Sequence, residues 1–255
     1  MPLSDAAILR EPKITVLARP QFVEASHLPV QWIGESTDGE RLAEFAGRLC
    51  YMSQRNPAGR TTRDYLENIK KQGHGSVLEH ASYSILFEGV SRSLTHELVR
   101  HRAGFAYSQL SQRYVDESDA QFVMPPAMIG DEPLEQAWRT QVTSAVESYI
   151  SLVESLMTRY AWVDDKVHRR KMAREAARGV LPNSTETKIV VTAVSAVAAS
   201  SWLAMPNSGH SELMPPSGSV TPWYRNQPQP ATQIVVATPL AVQLAVFFIG
   251  GYTAP

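Results

Sequence analysis

HASYSILFEGVSRSLTHELVRHRAGFAYSQLSQRY, residues 80–114, changes its period part-way along. Over its first ten residues Ala81, Tyr83, Ile85 and Phe87 fall on alternate positions. Successive side chains of an extended chain point to opposite faces, so this alternation predicts a half-buried strand over 80–89. From Ser91 the pattern becomes helical, with Leu94 and Leu98 on one strip, and a helix is expected over 91–102. On that helix Arg92, His96 and Arg100 share a face, and Glu97 stands three residues from Arg100, a favourable pairing distance. AGFAYSQ then reads as a break. The helix ends in Arg100, His101 and Arg102, which compensation of the C-terminal dipole would explain alone. Ser108, Gln109, Ser111, Gln112 and Arg113 follow within a dozen residues. Hydroxyls, amides and guanidinium groups are the donor set for phosphate and carbonyl oxygens, and arginine adds planar bidentate geometry. A polar surface turn is the competing reading of the same residues.

Working outward, KITVLA (13–18) and KIVVTAV (188–194) read as strands. ERLAEFAGRLCY (40–51) reads as a helix with Leu42, Phe45, Ala46 and Leu49 on its apolar face. RTTRDYLENIKKQG (60–73) reads as a second helix, capped by Thr61 or Thr62 and stopped at Gly73. MPPAMIGDEP (124–133) is expected to be a loop. From Leu134 to Tyr160 apolar residues recur every three or four positions, the stripe of a long amphipathic helix. A basic helix is expected over Lys166 to Val180. Beyond Thr192 the texture changes to small residues, then to a Pro, Ser and Gln-rich run, and then to an apolar end read as a buried strand pair.

Composition bounds the function. The chain has 255 residues, with 44% hydrophobic and 19% charged residues. Its formal net charge of -1 gives no global case for nucleic acid or membrane binding, so any anion site must be built locally. One cysteine, Cys50, excludes an internal disulfide framework and thiolate metal clusters, fits a reducing cytoplasm, and is expected to pack in a core. The N-terminus carries no pattern of a signal peptide, and no apolar run reaches membrane-spanning length. His96-Glu97-Leu98-Val99-Arg100-His101 approaches a zinc helix, but the second histidine stands at i+5 and points away from the first, so no metal site is expected.

Two further dense patches are GHGSVLEH (73–80), where glycines permit close backbone approach to a ligand, and REAARGVLPNSTETK (174–188), with Arg174 and Arg178 four apart. Each alone reads best as a turn or a solvated helix end. Together, the order GHGSVLEH, SRSLTHELVRHR, SQLSQRYV and RKMAREAARGVLPNSTETKIVVT resembles the flavin-dependent thymidylate synthase family over about residues 13–192. EFAGRLCY and NPAGRTTRDYL are similar to other segments of that family.

The resemblance implies an α/β (α+β) fold, a central sheet with long helices. It implies a cytoplasmic enzyme that methylates uracil C5 of dUMP to give dTMP. Methylenetetrahydrofolate would supply the carbon, NADPH the reducing equivalents, and FAD would mediate. It also implies a homotetramer whose sites are shared between subunits. Carried over by position, His74, Ser76, Glu79, Arg100, His101 and Arg102 match FAD-binding positions. Glu97, Arg100, Gln109, Leu110, Ser111, Arg113 and Arg178 match dUMP-binding positions, with Arg92 added, and Arg113 and Arg178 are the catalytic candidates.

Residues 193–255 depart from the family pattern. Where the family carries an arginine after an alanine-methionine pair, Ala204-Met205 is followed by Pro206, and no arginine lies between Arg178 and Arg225. Divergence is one account of this part of the domain. A reading-frame slip is another, because Val197-Ala198-Ala199 encoded GTG GCG GCA gives Trp-Arg and the start of a His codon one base later. Two rivals stand beside the enzyme: an inactive nucleotide or flavin binder lacking that arginine, and a single-stranded nucleic-acid binder, against which the neutral charge argues.

Overall fold

The computed structural model describes residues 3–100, 102 and 104–194. In chain order its elements are β1 (Ile8–Leu9), β2 (Lys13–Ala18), α1 (Asp38–Cys50), α2 (Thr62–Lys71), β3 (Ser82–Ser91), α3 (Arg92–Leu98), β4 (Phe105–Gln109), β5 (Phe122–Val123), α4 (Glu132–Arg159), α5 (Lys166–Ala177) and β6 (Glu186–Val194). Four strands form an antiparallel sheet in the order β2-β3-β6-β4, and β1 pairs with β5 in a separate short parallel ladder. This is the mixed α/β architecture expected.

The alternation in β3 is realised as read. Ala81, Tyr83, Ile85 and Phe87 are buried and cluster with Ile189 and Val191 of β6 and Leu98 of α3. Burial of each such large side chain contributes about 1.5–3 kcal/mol. On the opposite face the facing pair Ser84 and Thr192 join their hydroxyls at 2.8 Å. Near its end β3 bulges at Gly89, whose φ of 66° suits glycine and whose N–H donates to Glu186 Oε1 at 2.9 Å. Ser91 then caps α3 by accepting from Leu94 N–H, so the strand runs directly into the helix.

Two expectations in this segment are corrected. The helix is shorter, ending at Leu98 rather than Arg102, because the chain turns there, with Phe105 N–H donating to Arg102 C=O, and reverses to pair with β6. AGFAYSQ is accordingly not a break but carries the edge strand β4, in which Phe105 and Tyr107 stack with ring centroids 5.7 Å apart.

α1 and α2 both begin with reciprocal capping boxes, Thr37 with Glu40 and Thr61 with Asp64. The face of α1 differs from the expectation. Its buried side carries Ala43, Glu44, Gly47 and Arg48, while Leu49 is exposed. The small residues admit close packing, with the Tyr65 hydroxyl against Gly47. The charged pair is tolerated because Arg48 Nε donates to Glu44 Oε1 at 2.7 Å, Nη1 donates to Ser53 C=O at 3.0 Å, and the guanidinium lies 4.7 Å from the Tyr65 ring centroid. Cys50, expected in a core, is exposed at the end of this helix.

The long helix α4 runs 28 residues, capped by Asp131, and buries Val142 and Tyr149 of its stripe, leaving Leu134 and Leu152 exposed. The basic helix α5 ends at Ala177, and Arg178–Val180 form a tighter 3₁₀ turn. The apolar end read as a strand pair lies outside the described residues. Among the described residues no helix is long and apolar enough to cross a membrane.

Removing one partner of a buried ion pair leaves the other charge uncompensated. Glu44→Ala is expected to lower the unfolding free energy by about 3–5 kcal/mol. An unchanged urea midpoint would refute this account of α1.

Candidate active site

One end of the sheet gathers most of the residues matched to nucleotide positions. Arg92 N–H donates to Thr185 C=O at 3.0 Å, Ser93 N–H to Asn183 C=O at 3.0 Å, and Leu110 N–H to Lys188 C=O at 2.9 Å. These bonds tie the start of α3, the end of β4 and the approach to β6 together. Arg92 reaches across, its Nη2 donating to Leu110 C=O at 2.9 Å. Gln109 is anchored by its amide, which donates to Thr95 Oγ1 at 2.9 Å and Thr187 Oγ1 at 3.3 Å. Ser111 opens a turn that receives Tyr114 and Val115 N–H on its carbonyl, and its hydroxyl accepts from Arg113 N–H at 3.4 Å. Arg113 pairs with Glu175 of α5 at 3.0 Å.

The electrostatics of this end are strained. Burial pushes the Arg92 guanidinium below its ordinary pKa, and Arg178 adds a like charge beside it, while Glu117 and Glu186 oppose the shift. Arg92 Nε and Arg113 Nε are buried and have no hydrogen-bond partner among the described residues. Buried donors are nearly always paired, so the two unpaired guanidinium donors make this a candidate anion site, beside which Glu117 Oε1, 4.0 Å from Arg92 Nη2, is also buried without a partner among the described residues.

The other matched residues lie toward the opposite end of the sheet. Ser82 faces Val194, and Phe105 faces Ala193, so the 74–80 turn and Arg102 emerge where Arg92 and Ser111 do not. The length of β3 separates the ends by roughly 30 Å. Here His74, Ser76, Glu79 and Arg102 are exposed. His74 and Ser76 line a surface cavity of about 370 Å³ with Gly47, Cys50, Tyr51 and Gly73. A Cβ built on Gly73 or Gly75 would meet nothing within 4 Å, so the backbone is open to close approach. Glu97 and Arg100, matched to the nucleotide set, pair with each other at 3.0 Å beyond the centre of α3. His101 lies outside the described residues.

The family model described as thymidylate synthase complementing protein matches residues 33–197. The chain belongs to this family. Flavin-dependent thymidylate synthases of Mycobacterium marinum and Mycobacterium tuberculosis are 44% and 45% identical to it over 192 residues, covering 74% of both chains in each case. That of Mycobacterium avium is 45% identical over 182 residues, covering 71% of this chain and 72% of its own. The crystal structure of the UMP/dUMP methylase PolB from Streptomyces cacaoi bound with 5-Br dUMP superposes with a TM-score of 0.52 at 20% identity, covering 75% of this chain and 76% of that one. At that identity the likeness carries the fold.

This family member surrounds its cation cluster with contacts that its motifs did not reveal. Arg174 holds the turn from α5, with Nη1 donating to Tyr114 C=O at 2.9 Å and Nη2 to Asp116. Lys171 Nζ donates to the Tyr114 hydroxyl at 3.0 Å. Asp116, Glu117 and Glu175 supply the counter-charge. Glu175 lies in the REAARG stretch and Asp116 and Glu117 in none, and the packing of α5 against the 111–117 turn brings them together.

Two phenols report on the site. The hydrogen bond from Lys171 holds the Tyr114 phenol below its ordinary pKa, whereas burial pushes Tyr107 up to about 12. Spectrophotometric titration is expected to show Tyr114→Phe removing phenolate absorbance that develops below about pH 10, and Tyr107→Phe removing none there.

Proposed function

We propose that this protein methylates dUMP at uracil C5 to give dTMP, as a cytoplasmic homotetramer using FAD, with NADPH and methylenetetrahydrofolate as co-substrates. The observation that carries the reading is the pair of buried arginine donors, Arg92 Nε and Arg113 Nε, unpaired at the QLSQR segment. A nucleotide phosphate supplies the acceptors they lack. The names of the mycobacterial relatives, flavin-dependent thymidylate synthases, support the same reading.

In this reading Ser111, Gln109 and Arg113 hold the phosphate, and Leu110 contributes its backbone. Ser111 acts as a donor and not as a nucleophile, since its hydroxyl meets Arg113 N–H and no base. Arg178, beside Arg92, stabilises negative charge that develops on the uracil ring, which an arginine does without giving up its proton. The flavin, when bound, supplies the redox chemistry that joins NADPH, methylenetetrahydrofolate and dUMP. His74, Ser76, Glu79, Arg100, His101 and Arg102 are the residues that would hold it. The exposed donors and open glycines of the 73–76 turn fit that role. The separation of the two groups along the sheet supports a site completed between subunits, with Glu97 and Arg100 reaching the nucleotide of a neighbouring copy.

A second reading, a binder without turnover, is favoured by the absence of any arginine between Arg178 and Arg225. One experiment separates the two. The purified protein is loaded with FAD, and NADPH is added with and without dUMP. Bleaching of the flavin band that dUMP accelerates, with dTMP formed on adding methylenetetrahydrofolate, is the expected result. Flavin retained with no dUMP-dependent bleaching and no dTMP establishes the binder, and failure to retain flavin in excess FAD overturns the enzyme and leaves a nucleotide binder at most. Loss of one charge-assisted contact costs about 1.5–3 kcal/mol, so Arg178→Ala is expected to weaken dUMP binding roughly ten- to hundred-fold with flavin retained.

A further inference from the structure

Glu117 belongs to none of the sequence motifs, yet it is 4% exposed and stands beside Arg92. Its backbone is held from behind. The Tyr149 hydroxyl of α4, itself fully buried, accepts from Glu117 N–H at 3.4 Å. Arg174 of α5 grips the preceding residues through Tyr114 C=O and Asp116. From this fixed base the carboxylate faces buried Gln112 and half-buried Arg92 of the nucleotide end. Gln112 lies beside it and favours its charged form, and Oε1, which has no hydrogen-bond partner among the described residues, stands 4.0 Å from Arg92 Nη2. That same Nη2 donates to Leu110 C=O.

A buried carboxylate is costly unless a cation compensates it, and two guanidiniums held side by side repel. Arg92 is in both situations, with Arg178 as its like-charged neighbour. The remaining acids near Glu117 are committed elsewhere. Glu186 accepts from Gly89 N–H, and Asp116 is taken by Arg174. Glu117 is the larger of the two counter-charges on Arg92, with Glu186 the smaller, and so contributes most to keeping Arg92 in place on the Leu110 carbonyl.

We propose that Glu117 is a positioning residue of the nucleotide site, acting through Arg92 and Gln112 to fix the Gln109–Arg113 segment. The proposal rests on the reading of that segment as a nucleotide cradle. It predicts a particular pH dependence. Burial raises the Glu117 carboxyl above its ordinary range, with Arg92 and Gln112 opposing and Glu186 and Asp116 adding to the rise. Above that raised value the carboxylate is charged and Arg92 is held. As the pH falls through it Glu117 takes a proton, Arg92 loses its counter-charge, and dUMP affinity drops. Protonation of the dUMP phosphate near pH ~6 weakens binding in the same direction, so the comparison with a variant that cannot titrate is essential.

The test is calorimetric titration of dUMP into the FAD-loaded full-length protein between about pH 5 and pH 8, for wild type and Glu117→Gln. The expected result is a Kd raised roughly ten-fold by Glu117→Gln at the upper pH, an unchanged flavin spectrum, and a pH profile that follows phosphate ionisation alone. Equal affinities with identical profiles would overturn the proposal, as would parallel loss of flavin and dUMP. If Glu117→Gln does not fold, the wild-type profile decides. A decline on acidification steeper than phosphate ionisation supports the proposal, and a decline equal to it overturns it. Wild-type protein that binds no dUMP at any pH overturns the nucleotide reading, and this inference with it.

Discussion

The pairing of β3 with β6 is the constraint on which the rest depends. Its register places Ser82 against Val194 at one end and Ser91 against Glu186 at the other. Everything chemical hangs from those two ends. The 74–80 turn leads into one, and α3 leaves from the other with Arg92 as its first residue. A one-residue slip would turn Tyr83, Ile85 and Phe87 out of the core and carry Arg92 away from Leu110 and Thr185. Packing and site geometry are thus set by the same ladder.

The strands β2, β3 and β6 were legible because β-branched runs or strict alternation leave few other structures open to them. The Thr61 cap of α2 was legible for a similar local reason, a threonine just ahead of a helical run, whereas the Thr37–Glu40 box of α1 was passed over. β4 was not, since it is five residues long and begins just after a glycine, with only Phe105 and Tyr107 to mark its period. The face of α1 was misread for a different reason. A hydrophobic stripe pointed to Leu42, Phe45 and Leu49, but the core accepted Ala43, Gly47 and a neutralised Glu44–Arg48 pair. Ion pairing converts two polar residues into a packable unit, and periodicity of hydrophobic residues cannot register that.

The site divides along the same line. The proximity of its candidate cations and hydroxyls was legible because they lie close together in sequence, in a pattern whose order is specific. Its acids were not. Glu175 meets Arg113 only through α5, and Glu117 meets Arg92 only because the chain returns past α3 after β4. The arginines gathered at this end of the sheet are interleaved with carboxylates, Glu175 on Arg113, Asp116 on Arg174 and Glu117 near Arg92.

The bulge at Gly89 carries a consequence for inheritance. A side chain there would strain a backbone at φ 66°, and its first carbon would lie 3.0 Å from the Glu11 carbonyl. Relief would mean displacing either the β1–β2 connection or the strand that delivers Arg92. In a genetic screen for thymidine requirement, position 89 should therefore behave like a ligand-binding residue, although glycine offers no group to any ligand. Alleles at such a position would be mistaken for lesions in chemistry when their effect is one of alignment.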